Sequence, residues 1–135
     1  MAPDVEIDTT ATNTIAVVSR DPDTRQILDL WLRHLGYAVC VVADPDRVLE
    51  VARAVRPKLV ITNYPTLLSS GDTVVEAIRG SPELAQTLVL SLTSHVSPHD
   101  LAAATTAGVD LSVPMPVPLR VLSDEVIRLI GPPAD

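Results

Sequence analysis

Five times along the chain, a short run of apolar, mostly β-branched residues gives way to a helix-start signal and then to apolar residues at helical spacing. The first run, 14–19 (TIAVVS), is followed by Asp21-Pro22, an N-cap and a proline at the first helical position. Ile27, Leu28, Trp31, Leu32 and Leu35 then recur at helical period, Asp29 and Arg33 pair on the outer face, and Gly36 closes the helix. The second run, 38–43, leads into Asp44-Pro45 and a stripe of Val48, Ala52 and Val55 that Pro57 ends. The third, 59–62, is followed by an irregular stretch from Asn63 to Gly71 and a short helix around 73–79. The fourth, 88–92, precedes a Ser97-Pro98 cap and a helix of small residues ending at Gly108. After a short fifth run, 111–113, Pro118 opens a last helix with Leu119, Leu122, Val126 and Leu129 on one face.

Strands that are apolar at every position are buried on both faces, as in a parallel sheet covered by helices. The pattern predicts an α/β domain: a doubly wound, five-stranded parallel sheet with five helices and right-handed crossovers. Its functional crevice is expected at the carboxyl ends of the strands. The expected boundaries are an acidic tail over 1–13, one domain over 14–131 and a stub over 132–135. No apolar run approaches the roughly 20 residues of a membrane span, and 1–13 lacks the basic start of a signal peptide. Cys40, the sole cysteine, is expected to be a small buried hydrophobe, and its solitude makes a reducing cytoplasm the default. A net charge of −7 argues against direct nucleic-acid contact. With no Phe, and only Trp31, Tyr37 and Tyr64 as aromatics, there is no stacking platform. Trp31 is expected in the core. His95 and His99 flank Ser97-Pro98 without a third ligand, so no metal site is expected. The dominance of Arg over Lys matches a GC-rich bacterial composition.

The ordered motifs resemble the receiver domain of bacterial two-component response regulators over about residues 14–131. The resemblance is carried by Val17-Val18 before Asp21-Pro22, Gly36-Tyr37, 57–63 (PKLVITN) with Gly71 beyond, Leu92-Thr93-Ser94, 107–110 (AGVD), and Met115-Pro116 in the family's Lys-Pro position. It implies the flavodoxin-like topology of receivers and a cis Pro116. It also implies that the phosphotransfer chemistry is missing. The phosphoacceptor Asp falls at Asn63, the metal-binding acidic pair at Ser19-Arg20, the conserved Lys at Met115, and the switch aromatic at Ser112. Only the hydroxyl residue remains, as Thr93. The formal charge of the quartet goes from −2 in the family to +1 in Ser19, Arg20, Asn63 and Met115. The chain thus reads as a pseudo-receiver, with Arg20 over the pocket within reach of Asn63, Asp21 or an anion, or else a solvated loop arginine. Asn63 caps loop backbone, bonds Thr93, or is a relic of lost phosphorylation.

The expected function is that of a non-enzymatic, phosphorylation-independent docking module in two-component signalling, with no cofactor. The receiver resemblance places its partner surface on helix four, strand five and helix five. That surface comprises Leu101, Thr105, Leu111, Ser112, Val121, Asp124 and Arg128, with His99, Ala102, Val109, Val113 and Val117 beside them. The expected partner is another protein or a second copy, with no membrane contact. A second class, a small-ligand or anion sensor using the vacated pocket, is testable by mass spectrometry of co-purified molecules. A third, a flavodoxin-like electron carrier, fails because the loop after strand one has no glycine and two aspartates. No Walker or dinucleotide glycine pattern occurs.

Overall fold

The computed structural model describes residues 13–133. Five parallel strands, β1 (Thr14–Val18), β2 (Ala38–Val42), β3 (Leu59–Asn63), β4 (Leu88–Thr93) and β5 (Leu111–Pro114), form one sheet in the order β2-β1-β3-β4-β5. Between and after them run α1 (Pro22–Leu35), α2 (Val48–Val55), α3 (Val74–Arg79), α4 (Pro98–Ala107) and α5 (Leu119–Ile130). Single 3₁₀ turns at Pro45–Arg47 and Pro82–Leu84 precede α2 and β4. The predicted doubly wound α/β architecture is the one observed.

Side chains alternate across each strand, which splits the core into two layers. Ile15, Val17, Leu59, Ile61, Leu90 and Leu92 face α1 and α5, meeting Leu28, Leu32, Leu122 and Val126. Ala16, Val18, Val60 and Val89 face α2, α3 and α4, meeting Val48, Ala52, Val75, Ile78 and Ala104. Each fully buried Leu or Ile contributes about 1.5–3 kcal/mol relative to an exposed one. The two edge strands are the exceptions to double burial, and in β5 only Val113 is fully buried. In β2, Ala38 and Val41 are exposed, because no strand or helix covers that side completely.

The helix starts follow the caps. Asp21 accepts the backbone N–H groups of Asp23 and Thr24, Ser97 accepts that of Asp100, and Thr73 forms a reciprocal capping box with Glu76. Gly36 and Gly108 close α1 and α4 in the left-handed region, at φ +107° and +116°. Arg56 takes the same conformation after α2, at φ +53°, where no glycine announces it.

Arg79, at the end of α3, is a junction. Its Nε donates to the Gly108 carbonyl (3.0 Å), Nη1 to the Thr87 carbonyl (2.7 Å) and Nη2 to the Asp110 carboxylate (2.6 Å). Asp110 also accepts the backbone N–H of Val89. The start of β4 and the α4–β5 turn are thereby tied to α3.

The domain boundaries expected from sequence fall close to the limits of the described residues. Residues 1–12 lie outside the described set, but Asn13, assigned to the tail, is buried and its Nδ2 donates to the Pro132 carbonyl. Tyr37 Oη donates to the Gly131 carbonyl at 2.7 Å. Asn13 is thus tied to the C-terminal segment, and residues 134 and 135 of the expected stub lie outside the described residues. Trp31 and Cys40 are half-buried: Trp31 packs on the α1–α5 core layer and stacks on His34. Burial pushes the Cys40 thiol above its ordinary range against the opposing charge of Arg33, which leaves it a poor nucleophile.

Candidate functional site at the carboxyl ends of the strands

The parallel strands deliver Ser19, Asn63, Thr93 and Met115 to one edge of the sheet. Ser19 is buried immediately after β1, and its Oγ donates to Asn63 Oδ1 at 2.8 Å. The same Oγ accepts the backbone N–H of Asp21 at 3.1 Å. Two neutral side chains thus satisfy each other across the β1–β3 pair. The backbone carbonyl of Asn63 accepts the Thr66 hydroxyl at 2.6 Å. Thr93 Oγ1 donates to the Tyr64 carbonyl (3.2 Å) and accepts the backbone N–H of His95 (2.9 Å), so it fixes both flanking loops and makes no bond to the Asn63 side chain.

Arg20 is exposed and reaches sideways. Its Nη2 donates to the Leu67 carbonyl at 2.8 Å, in the β3–α3 loop. The expected partners, Asn63 and Asp21, are both engaged elsewhere: Asn63 holds Ser19, and Asp21 holds the first turn of α1. Thr24, by its hydroxyl hydrogen bond, is the main reason the Asp21 carboxyl lies below its ordinary range.

A second tether holds the same loop. Asp46 accepts the backbone N–H of Ser69 at 2.7 Å and the Ser69 hydroxyl. The Ser69 hydroxyl, then its N–H, hold the Asp46 carboxyl below the usual carboxylate range, and the charge of Arg20 adds to this. A carboxylate depressed in the folded state stabilises above its unfolded value and loses that contribution as pH falls through its folded value. Exchange protection at the Ser69 amide should therefore decline in acid, and Asp46→Asn should lower it already at neutral pH. Amide hydrogen exchange followed by NMR checks this; unaltered protection at Ser69 in the variant contradicts it.

The donor set at the strand ends does not fit a divalent cation. Hard cations want anionic oxygens, and here stand a hydroxyl already hydrogen-bonded, an amide and a guanidinium, with the carboxylate next in sequence, Asp21, turned onto the α1 backbone. His95 and His99 are both exposed. Among the described residues, no three His, Cys, Asp or Glu side chains are placed to hold a metal ion. A cavity of about 200 Å³ lies beside Thr93, between Tyr64, Pro65, His95, Asp100, Ala103 and Ala104.

Both Met115-Pro116 and Tyr64-Pro65 are cis. The first matches the expectation from the receiver resemblance. The second carries no local sequence signal, since most X-Pro bonds are trans.

The geometry has close counterparts among solved structures. A response regulator from Burkholderia multivorans is 30% identical, with 92% of this chain and 99% of that one superposed at a TM-score of 0.71. The chemotaxis protein CheY4 of Vibrio cholerae is 24% identical over 88% of this chain and 99% of its own, at a TM-score of 0.79. The fold is that of a response-regulator receiver domain. Among curated proteins, the Regulator of RpoS of Escherichia coli K12 is 29% identical over 96 residues; the match takes in 71% of this chain and 28% of that regulator. No family model matches the chain.

In receiver terms, the partner surface expected from sequence lies on α4, β5 and α5. Thr105, Val121, Asp124 and Arg128 are exposed there, and Leu101, Leu111 and Ser112 are half-buried. Val109 and Val113 are buried, while Leu111 and Val117 are partly buried and pack one side against the core. What the sequence reading missed is the apolar character of the strand-end rim. Leu67, Val96 and Met115, each on a different strand-end loop, are 52%, 46% and 38% exposed.

Proposed function

We propose that this protein is a non-catalytic receiver-type docking module that works without phosphorylation. The observation that carries the reading is the Ser19–Asn63 hydrogen bond. It joins two uncharged groups at the position where phosphotransfer requires an anionic acceptor facing a metal. The Arg20 tether supports the reading further, because it supplies a permanent positive charge that holds the β3–α3 loop in one arrangement. With no phosphoryl group to switch it and its β3–α3 loop held, the module binds its partner constitutively.

The α4–β5–α5 face is the partner surface in this proposal. Val121 is 47% exposed, beside Asp124 and the Glu125–Arg128 ion pair at 2.6 Å. An apolar centre with a charged rim is the usual anatomy of a protein interface. The double variant Val121→Asp, Arg128→Glu is expected to stay folded and to lose partner capture, and capture by the unaltered protein is expected to be the same with and without a phosphodonor. Undiminished capture by a folded double variant would exclude this face.

A further inference from the structure

We infer that a groove at the amino ends of the strands, opposite the candidate site, is the seat of this chain's own residues 4–8 (DVEID), which precede the described set. Surface and occupant are both distinct from those of the α4–β5–α5 face.

The groove, of about 640 Å³, crosses the edge of the sheet between the ends of α2 and α5 and the starts of β3 and β4. Its two sides differ. Leu88, Leu129 and Ile130 form an apolar wall; all three are half-buried and pack one side on the core layer of α1 and α5. Arg56, which caps α2 on the opposite face of the sheet, and Lys58, just before β3, supply the charge, and both are exposed. Neither pairs with a carboxylate among the described residues. The acid at the groove, Glu83, pairs with Arg53 at 3.4 Å, so three cations face one carboxylate there.

Residues 1–12 join the fold beside this groove. Thr14 begins β1, and its carbonyl accepts the backbone N–H of Lys58 at 2.9 Å. The Lys58 carbonyl in turn accepts the backbone N–H of Leu88 at 2.9 Å. Asn13 is bonded to the carbonyl of Pro132, just past Ile130. The far strand of the groove, β4, stands two strand spacings from β1, about 10 Å. Residues 8–12 span up to about 17 Å, enough to lay residues 4–8 along both walls.

The sequence of the stretch matches the two walls. Asp4, Glu6 and Asp8 alternate with Val5 and Ile7, and residues 1–12 contain no Lys, Arg or His. Along an extended backbone this alternation puts the acids on one side and the apolar side chains on the other. The acids then meet Arg56 and Lys58 while Val5 and Ile7 meet Leu88, Leu129 and Ile130. Asp135, the acid at the other end of the chain, follows Pro132, Pro133 and Ala134 and offers no such alternation. A short tether supplies an effective concentration in roughly the millimolar range, so contacts of modest strength keep the groove filled.

The test follows the amide resonances of the full, isotopically labelled chain by NMR. A variant carrying Asp4→Asn, Val5→Ser, Glu6→Gln, Ile7→Ser and Asp8→Asn should shift the amides of Lys58, Gln86, Leu88 and Ile130. Those of Ser19, Asn63 and Thr93, at the other end of the sheet, should stay in place, which also shows that the variant folds. A synthetic peptide of residues 1–12, added to that variant at roughly millimolar concentration, should return the four groove amides toward their wild-type positions. In a Lys58→Glu background the same five substitutions should move Gln86, Leu88 and Ile130 clearly less. Groove amides that ignore the five substitutions overturn the inference. So do shifts that vary with protein concentration, which would put the contact between copies, and equal shifts from Asp135→Asn, which would seat the other chain end there. None of these readouts involves a phosphodonor or the α4–β5–α5 face, so they fail or succeed separately from the proposed function.

Discussion

Incubated with a small phosphodonor and Mg²⁺, the protein is expected to take up no phosphoryl group, and intact-mass spectrometry should show a single unmodified species. Phosphoryl transfer depends on an in-line nucleophile and on cations that neutralise charge building on the transferred oxygens. Asn63 presents an amide whose oxygen already accepts from Ser19 at 2.8 Å. Restoring the acid alone is expected to fail as well. In Asn63→Asp the new carboxylate faces a serine hydroxyl, with no second anionic group from β1 to share a metal. The triple variant Ser19→Asp, Arg20→Asp, Asn63→Asp supplies three anionic ligands and is expected to gain Mg²⁺ affinity, read by isothermal titration calorimetry. Phosphoryl incorporation on the unaltered protein would sink the proposed function outright.

The second large effect concerns stability, at Gly108. Its φ of +116° is strained for any L side chain, and a Cβ there would stand 2.5 Å from Arg79 Cγ. Gly108→Ala therefore adds left-handed strain of about 1–2 kcal/mol and also pushes Arg79 off its three partners. Loss of a charge-assisted hydrogen bond costs about 1.5–3 kcal/mol. A total near 3 kcal/mol is expected, read as a lowered denaturation midpoint with an unchanged slope. Arg79→Ala should cost a similar amount by leaving Asp110 and two carbonyls without that donor. The double variant separates the causes: with Arg79 gone there is nothing left to displace, so the two effects should sum to clearly less than their separate values. Full additivity would show that Gly108 acts through its own backbone alone.

The fold was legible because each βα unit carries its own punctuation. Asp21-Pro22 and Ser97-Pro98 mark helix starts, and Gly36 and Gly108 mark helix ends; the structure places a cap at all four. Less legible were features decided by neighbours distant in sequence. Ile27 shares the helical period of Leu28 and Leu32 yet is half exposed, because the covered stripe of α1 is narrower than its apolar one. Ser123 is buried in α5 and satisfies itself by donating back to the carbonyls of Leu119 and Arg120, so its polarity gave no hint of its position.

The candidate site divides the same way. Which residues occupy the strand ends follows from order and spacing, since parallel strands bring all their carboxyl ends to one edge. Whom those residues touch does not. Sequence places Arg20 near Asn63, Asp21 or an anion, or else in solvent, whereas it holds the carbonyl of Leu67, a partner with no residue-type signature, since every residue has a carbonyl. The exposed rim of Leu67, Val96 and Met115 arises from loops about 20 to 30 positions apart, so no local window contains it.

The contact between Asn13 and Pro132 makes the described stretch, residues 13 to 133, nearly a closed circuit. A few added residues could join the two positions covalently, and the backbone could then be reopened at the exposed turn Ser69–Gly71 without changing which strand lies beside which. Loop tips of this kind are where such rearrangement is best tolerated. The cut would fall in the segment that Arg20 and Asp46 hold, so a permuted chain would carry its new ends at the strand-end rim. The five-strand order would then be separable from the rim's own rigidity, two properties that the natural connectivity keeps bound together.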